Sequence, residues 1–202
     1  MQGALADLNV SRETIERLEA YVQILTKWNS SINLVSPATL NEVWSRHIVD
    51  SAQIFSLAPW ASKWADLGSG GGFPGLVIAI LLGESNDGSM ILVESDQRKS
   101  AFLRTALRET NTKAQVVAER IEETAPLQAD ILTARALAPL TRLLTFTERH
   151  QRPGGVSIFP KGQSWRAEIE AAQAHWRFHY DAVPSKTNPD SVVLKVGDVA
   201  RV

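Results

Sequence analysis

From Lys63 onward, short apolar runs alternate with segments of helical period. "KWADLG" reads as a first strand, and "GLVIAILLG" as an apolar helix ending at Gly83. "SMILVES" from Ser89 reads as a second strand. "QRKSAFLRTALRET" from Gln97 reads as an amphipathic helix with Ala101, Leu103 and Leu107 on its inner face. "AQVVAE" and "ADILTAR" supply strands three and four, and "LAPLTRLLTFTERH" is helical past Pro139. "GGVSIFPKG" is a fifth strand and "SWRAEIEAAQAHW" a further helix. Five rounds of alternation specify a parallel sheet covered on both faces, and right-handed crossovers make it doubly wound. Between "RFHYDAV" and "DSVVLKV" the connection "PSKTNPD" leaves no room for a helix, so the closing pair must be antiparallel. The expected architecture is therefore an α/β domain over 61–202, mostly parallel with a C-terminal antiparallel strand.

Residues 1–60 read as a helical cap in front of that domain. Ile15, Leu18, Val22 and Leu25 share one helix face, with Ser11 as N-cap and Glu13 in the first turn. Pro37 breaks the chain. Thr39 and Glu42 then have capping-box spacing for a second helix, expected to end or bend near His47 and to be followed by helical turns to about Ser56. Several function classes fall away on composition. The 202 residues contain no cysteine, which removes disulfides, thiolate catalysis and cysteine-ligated zinc. His175 and His179 have the spacing of two ligands on a helix turn, but no metal is expected there. No apolar run approaches the ~20 residues of a membrane span. Met1 to Arg12 carries Asp7 and lacks a basic-then-apolar leader pattern, so the expected location is cytoplasmic. A formal net charge of −1 means that any nucleic-acid-binding surface must be local.

The first strand runs into "DLGSGGGFPG", from Asp66 to Gly75. In a doubly wound sheet, ligands sit beyond the carboxyl ends of the strands, and this is the turn that meets them. The frame Gly70-x-Gly72-x-x-Gly75 matches a dinucleotide fingerprint, which keeps a NAD-dependent oxidoreductase open. That frame lies further from the strand than a phosphate turn should. Read instead as Asp66 followed by Gly68, Gly70 and Gly72, the stretch resembles the cofactor loop of class I S-adenosylmethionine-dependent methyltransferases. Their cofactor has no pyrophosphate and carries an ammonium group. Asp66 or loop carbonyls can accept from that group, directly or through water, while glycines let main chain approach the ligand. Glu94 ends the second strand, where a carboxylate accepts from both hydroxyls of an adenosine ribose; Asp96 suits the N-cap of the next helix better. In "ERIEET", Ile121 can pack on the adenine and the backbone at Ile121–Glu122 can bond its edge. Arg135 stands at the end of the fourth strand.

"RHIVDS", "DLGSGGGFPG", "VESDQRKSAFLR", "TARALAPL" and "FPKG" occur in this order between Arg46 and Gly162. Together they resemble the small-subunit ribosomal RNA guanine-N7 methyltransferase family, also called glucose-inhibited division protein B. The resemblance implies a class I, Rossmann-like methyltransferase fold. It implies methyl transfer from S-adenosylmethionine to N7 of one guanosine in 16S rRNA. It also implies cofactor contacts at Gly68, Phe73, Ile121, Glu122 and Arg135, to which the physical argument adds Asp66, Gly70 and Glu94. Guanine N7 has an in-plane lone pair and no proton, so neither a protein nucleophile nor a general base is expected. The base must leave its stack to reach the cofactor. Arg46, His47, Arg135 and Lys161 are the candidate RNA contacts, while Arg98, Lys99, Arg104 and Arg108 read better as a solvated helix face. The modest charge suggests that the substrate is a small-subunit ribonucleoprotein particle rather than bare RNA. A methyltransferase for protein or a small molecule is the other alternative.

Overall fold

The strand "KWADL" has one acid in an otherwise apolar run, as a strand buried on both faces requires. It forms β1 (Lys63–Leu67), buried from Trp64 onward, at the middle of the sheet. The computed structural model describes residues 10–58, 60–85 and 88–202; positions 1–9 of the expected cap lie outside them. On one side of β1 lies β2 (Ser89–Val93), then β3 (Gln115–Val117). On the other side lies β4 (Ala129–Thr133), then β5 (Gln151–Lys161), all parallel. β6 (Trp176–Pro184) and β7 (Val192–Arg201) form the closing antiparallel pair. The later strand inserts, so the order is β3-β2-β1-β4-β5-β7-β6 and β7 alone runs against its neighbours. The chain winds outward from β1 in both directions. Its switch point lies between the loops that follow β1 and β4.

The cap opens with α1 (Arg12–Asn29), whose N-cap Ser11 accepts from Thr14 N. Its buried face is Thr14, Leu18, Tyr21 and Leu25, one step away from the expected Ile15 and Val22, which are half-buried. The reason is Tyr21, whose hydroxyl donates to the Gly71 carbonyl and whose ring packs 5.3 Å from Phe73. Next come the single turn α2 (Pro37–Leu40), a π-helical turn over Trp44–Val49, and α3 (Asp50–Ser56). The expected capping box does not form. Thr39 Oγ1 donates to Ser36 O at 2.9 Å inside the short turn, and Glu42 pairs with Arg46.

α4 (Gly75–Ser85) and α5 (Gln97–Glu109) cover one face of the sheet, and the cap packs on them through a single apolar cluster. α5 buries Phe102, Leu103, Ala106 and Leu107, whereas Ala101 is exposed; the larger Phe102 sets the phase of the helix. α6 (Leu140–His150) and α7 (Trp165–Gln173) cover the other face. One expected round of alternation lacks its helix: turns alone join β3 to β4. That segment is pinned from α6, where Arg149 Nη2 donates to Thr124 O at 2.9 Å and the His150 ring meets Ile121 O at 2.9 Å.

Candidate functional site

Between Leu67 and Gly75 the chain turns from β1 into α4 within a few residues. Gly75 lies so close to the sheet that a Cβ there would fall 2.5 Å from Leu92 Cδ2 and 2.6 Å from Asp66 Oδ2. Gly70 has φ +54°, left-handed backbone that costs glycine little. The space a Cβ would occupy at Gly70 is open, with Gly68 O nearest at 3.8 Å. The Gly70 N–H donates to Glu94 Oε2 at 2.8 Å, and Asp96 N donates to Glu94 Oε1 at 2.8 Å. Two backbone donors therefore orient the carboxylate of the residue that follows β2. Asp96 itself caps α5, accepting from Arg98 N and Lys99 N.

Gly68, Gly70 and Glu94 wall a cavity of about 350 Å³. Of the cofactor residues expected from sequence, Gly68, Gly70, Glu94, Ile121, Glu122 and Arg135 line it. Its wall combines bare main chain, a held carboxylate, an aliphatic side chain and a guanidinium, which together complement an adenosine-containing ligand. Arg142 donates to Glu122 at 2.7 Å on the rim and holds that carboxyl below its usual range. Asp66 and Phe73 do not line the cavity. Asp66 is fully buried beneath the bend, where Oδ1 accepts from Thr133 Oγ1 at 2.7 Å. Burial pushes its carboxyl up to about 6, against the opposing hydrogen bond from Thr133 and the charge of Arg135, while Oδ2 is buried with no hydrogen-bond partner among the described residues. Phe73 is buried behind the loop, against His47.

A second, larger cavity of about 980 Å³ adjoins the first. The two share the wall Arg135–Ala138, the loop after β4 at the switch point. Ala136 holds φ +52° in this loop, a conformation L-residues seldom adopt and one often found at functional sites. Arg135 is tightly held. Its Nη1 lies 2.8 Å from His47 Nδ1 and 3.9 Å from Asp50 Oδ2, and its guanidinium sits 5.0 Å over the Phe73 ring. Burial, then the charges of Arg135 and Arg46, depress His47 from 6.5 to about 4, so the imidazole is neutral. A guanidinium can only donate, so Nδ1 is the acceptor and Nε2 carries the proton. Thr39 Oγ1, whose own proton goes to Ser36 O, accepts from Nε2 at 3.0 Å. The ring stacks on Phe73 at 4.8 Å.

All four candidate RNA residues line this basin, in different states. Arg46 is exposed and paired with Glu42. His47 and Arg135 hold each other. Lys161 is largely buried, with Nζ donating to Glu168 Oε2 at 2.7 Å and Ala138 O at 3.1 Å, so it braces the shared wall. Sequence reasoning missed Thr39, Asp50 and the hairpin tip at Ser185, Thr187 and Asn188. Asp50 stood inside the quoted "RHIVDS"; the hairpin tip offered no motif. Lys99 of the charged helix lines the smaller cavity, Arg98 lies 3.9 Å from Asp96, and Arg108 pairs with Glu109. His175 follows α7 and His179 lies on β6, so the two do not share a helix. Among the described residues no group of three His, Asp or Glu could hold a metal ion. Among the same residues no helix is long and apolar enough to cross a membrane.

The sheet order and the glycine bend beneath a switch-point cavity define the class I methyltransferase fold. An O-methyltransferase from Bacillus cereus, solved in complex with SAH, matches it with a TM-score of 0.62 at 15% identity, covering 91% of each chain. The family model described as GidB, rRNA small subunit methyltransferase G, matches residues 14–191. Ribosomal RNA small subunit methyltransferase G from Ruegeria pomeroyi is 56% identical over 196 residues, 96% of each chain. Its counterpart from Gluconobacter oxydans is 48% identical over 193 residues, 96% of this chain and 98% of its own. This chain belongs to the rRNA small subunit methyltransferase G (GidB) family.

Proposed function

We propose that the protein transfers a methyl group from S-adenosylmethionine to N7 of a specific guanosine in 16S rRNA. The single observation that carries this reading is the pair of cavities meeting at Arg135–Ala138, in a chain of this family. The smaller cavity suits the methyl donor. Main chain at Gly68 and Gly70 would lie against it, Glu94 would accept from its ribose hydroxyls, and Ile121 and Glu122 would flank its adenine. Arg135 would stand at its methionine end. Asp66 supports the bend from below instead of touching the ligand, and Phe73 acts through His47 and Arg135. When bound, S-adenosylmethionine supplies an electrophilic methyl group on a sulfonium.

The larger cavity would receive the unstacked base. Guanine N7 needs no deprotonation, so the protein's task is alignment and a favourable electrostatic setting. This fits a site in which His47 is neutral and locked into one tautomer. The basic groups around the basin are few, and Lys161 and Arg135 are already engaged. Recognition therefore depends on a small-subunit ribonucleoprotein particle in the cytoplasm, with ribosomal proteins presenting the RNA. Equal transfer to a short bare hairpin and to intact subunits would remove that part of the proposal. The main test is mapping N7-methylguanosine in 16S rRNA from cells with and without this protein. One modified guanosine should disappear with the protein; an unchanged map refutes the reading. Transfer of labelled methyl groups into protein instead of RNA would favour the other methyltransferase class.

A further inference from the structure

Two carboxylates line the larger basin, Asp50 and Glu168. They differ in what they still have to offer. Glu168 Oε2 already accepts from Lys161 Nζ at 2.7 Å and Leu140 N at 2.9 Å, and Oε1 faces Ser164 Oγ at 3.5 Å. Asp50 is half-committed. Its Oδ1 accepts from Gln53 Nε2 at 2.6 Å and from Thr187 Oγ1 at 2.8 Å. Those two bonds, one from its own helix and one from the β6–β7 hairpin tip, fix the carboxyl group in place. Its Oδ2 accepts no hydrogen bond among the described residues. The nearest cation, Arg135 Nη1, lies 3.9 Å away, outside hydrogen-bond range. Arg135 belongs to the wall shared with the smaller cavity, so Asp50 stands one guanidinium away from where the cavities meet.

We infer that Asp50 selects guanine in the basin, its free Oδ2 accepting hydrogen bonds from the N1–H and 2-amino group of the inserted base. The inference rests on the guanine-N7 reading above. Bases taken out of a stack are read along the Watson–Crick edge. On guanine that edge carries adjacent donors, which an acceptor-only carboxylate matches. Adenine presents a lone pair at N1, which the same carboxylate repels. In the transfer, the N7 lone pair forms the new N–C bond and the C–S pair stays with sulfur as a neutral thioether. The positive charge thereby moves onto the purine. N1–H and the amino group become stronger donors as that charge arrives, so their bonds to Asp50 tighten in the transition state beyond their ground-state strength. No proton changes hands.

The test compares guanosine 5′-monophosphate with 7-methylguanosine 5′-monophosphate by calorimetric titration. At pH 6, where the methylated base is cationic and keeps its N1 proton, the unaltered protein should bind 7-methylguanosine 5′-monophosphate on the order of tenfold more tightly. Asp50→Asn, nearly isosteric but with an amide N–H in place of the accepting Oδ2, should erase that preference. It should also lower kcat on small subunits on the order of a hundredfold, with affinity for S-adenosylhomocysteine retained. Gln53→Leu breaks a tie on Oδ1 and leaves Oδ2 in place, so it should keep the preference. If Gln53→Leu erases it equally, Asp50 acts only by holding the hairpin and the assignment falls. Equal binding of the two nucleotides by the unaltered protein, or none, also overturns it. An N7-methylguanosine map that is the same with and without the protein would sink the underlying reading. A positive map with an undiminished Asp50→Asn sinks only the role of Asp50.

Discussion

The two cavities are built by different means. The smaller lies at the ends of neighbouring parallel strands, with all its lining residues between Gly68 and Phe146. Its glycines, Glu94 and Ile121 follow directly from β1, β2 and β3. The larger is assembled from parts distant in the chain: the cap at Thr39–Asp50, the end of β5 at Pro160–Gly162, and the hairpin tip at Ser185–Ser191. Side chains join these parts. Lys186 N donates to Gln53 Oε1 at 3.0 Å and Thr187 Oγ1 to Asp50 Oδ1 at 2.8 Å, tying hairpin to cap. A ligand that every methyltransferase of this fold shares can be met by backbone geometry. A substrate peculiar to one family needs side chains that the shared fold does not supply.

The contrast breaks most readily at Gly70. A carboxylate there would enter the open space beside the cavity and stand near Glu94 Oε2, which lies 4.0 Å from the hypothetical Cβ. Gly70→Asp should abolish S-adenosylmethionine binding in a calorimetric titration, whereas substitutions in the basin should not. Retained affinity would mean that the bend does not face the ligand.

The shared wall gives the next largest effect, and it is pH-dependent. His47 is depressed from 6.5 to about 4, so between those values the unfolded chain binds a proton that the folded protein refuses. Its contribution to stability is present above 6.5 and is lost as pH falls toward 4. Asp66 has the opposite sign. Its carboxyl is raised from 3.8 to about 6, so its folded form holds the extra proton and its contribution falls as pH rises through that window. His150, which burial also lowers from 6.5, adds a slope of the same sign as His47 and remains when His47 is replaced. His47→Phe keeps the stack on Phe73 and removes only its own slope. Chemical denaturation should then show the variant gaining on the unaltered protein by roughly 2–3 kcal/mol as pH falls from 6.5 toward 4. A difference that does not change with pH would contradict the assignment of His47.

Smaller effects sharpen the comparison on the basin side. Lys161→Met removes the charged donor to Glu168 and the donor to Ala138 O in a largely buried setting, and should cost about 1.5–3 kcal/mol by denaturant titration. Cofactor affinity should change less than stability does. Arg46→Ala is the mildest. Its pair with Glu42 is exposed on both sides, and such pairs contribute roughly 0–1 kcal/mol. The variant's signature should appear in RNA binding, with the salt-dependence slope reduced by about 1 if Arg46 meets a phosphate.

The same asymmetry explains what the sequence disclosed. The sheet was legible because β1, β2 and β4 are short, mostly apolar runs with turn residues at their ends. The helix missing between β3 and β4 was not, because that segment is held by Arg149 and His150 from a later helix. Helix phase failed at Tyr21 and Phe102, where a single large side chain outweighed a regular apolar spacing. At the site, Gly70 and Glu94 could be placed because their roles are local to two strand ends. His47 and Lys161 could be singled out but not understood. Each acts through a partner far away in the chain, Arg135 for one and Glu168 with Ala138 for the other. Asp66 misled for a related reason: an acid just before a glycine turn resembles a ligand contact, yet it sits below the bend against Thr133.

The central claim is that two differently built hollows form one reaction centre across Arg135–Ala138. Co-crystallisation with S-adenosylhomocysteine and guanosine 5′-monophosphate tests it most directly. The account predicts that the thioether sulfur and purine N7 face each other across that loop, with room between them for one methyl group and with Asp50 on the far edge of the base. Either ligand settling elsewhere, or a purine presenting another atom to the sulfur, would contradict it.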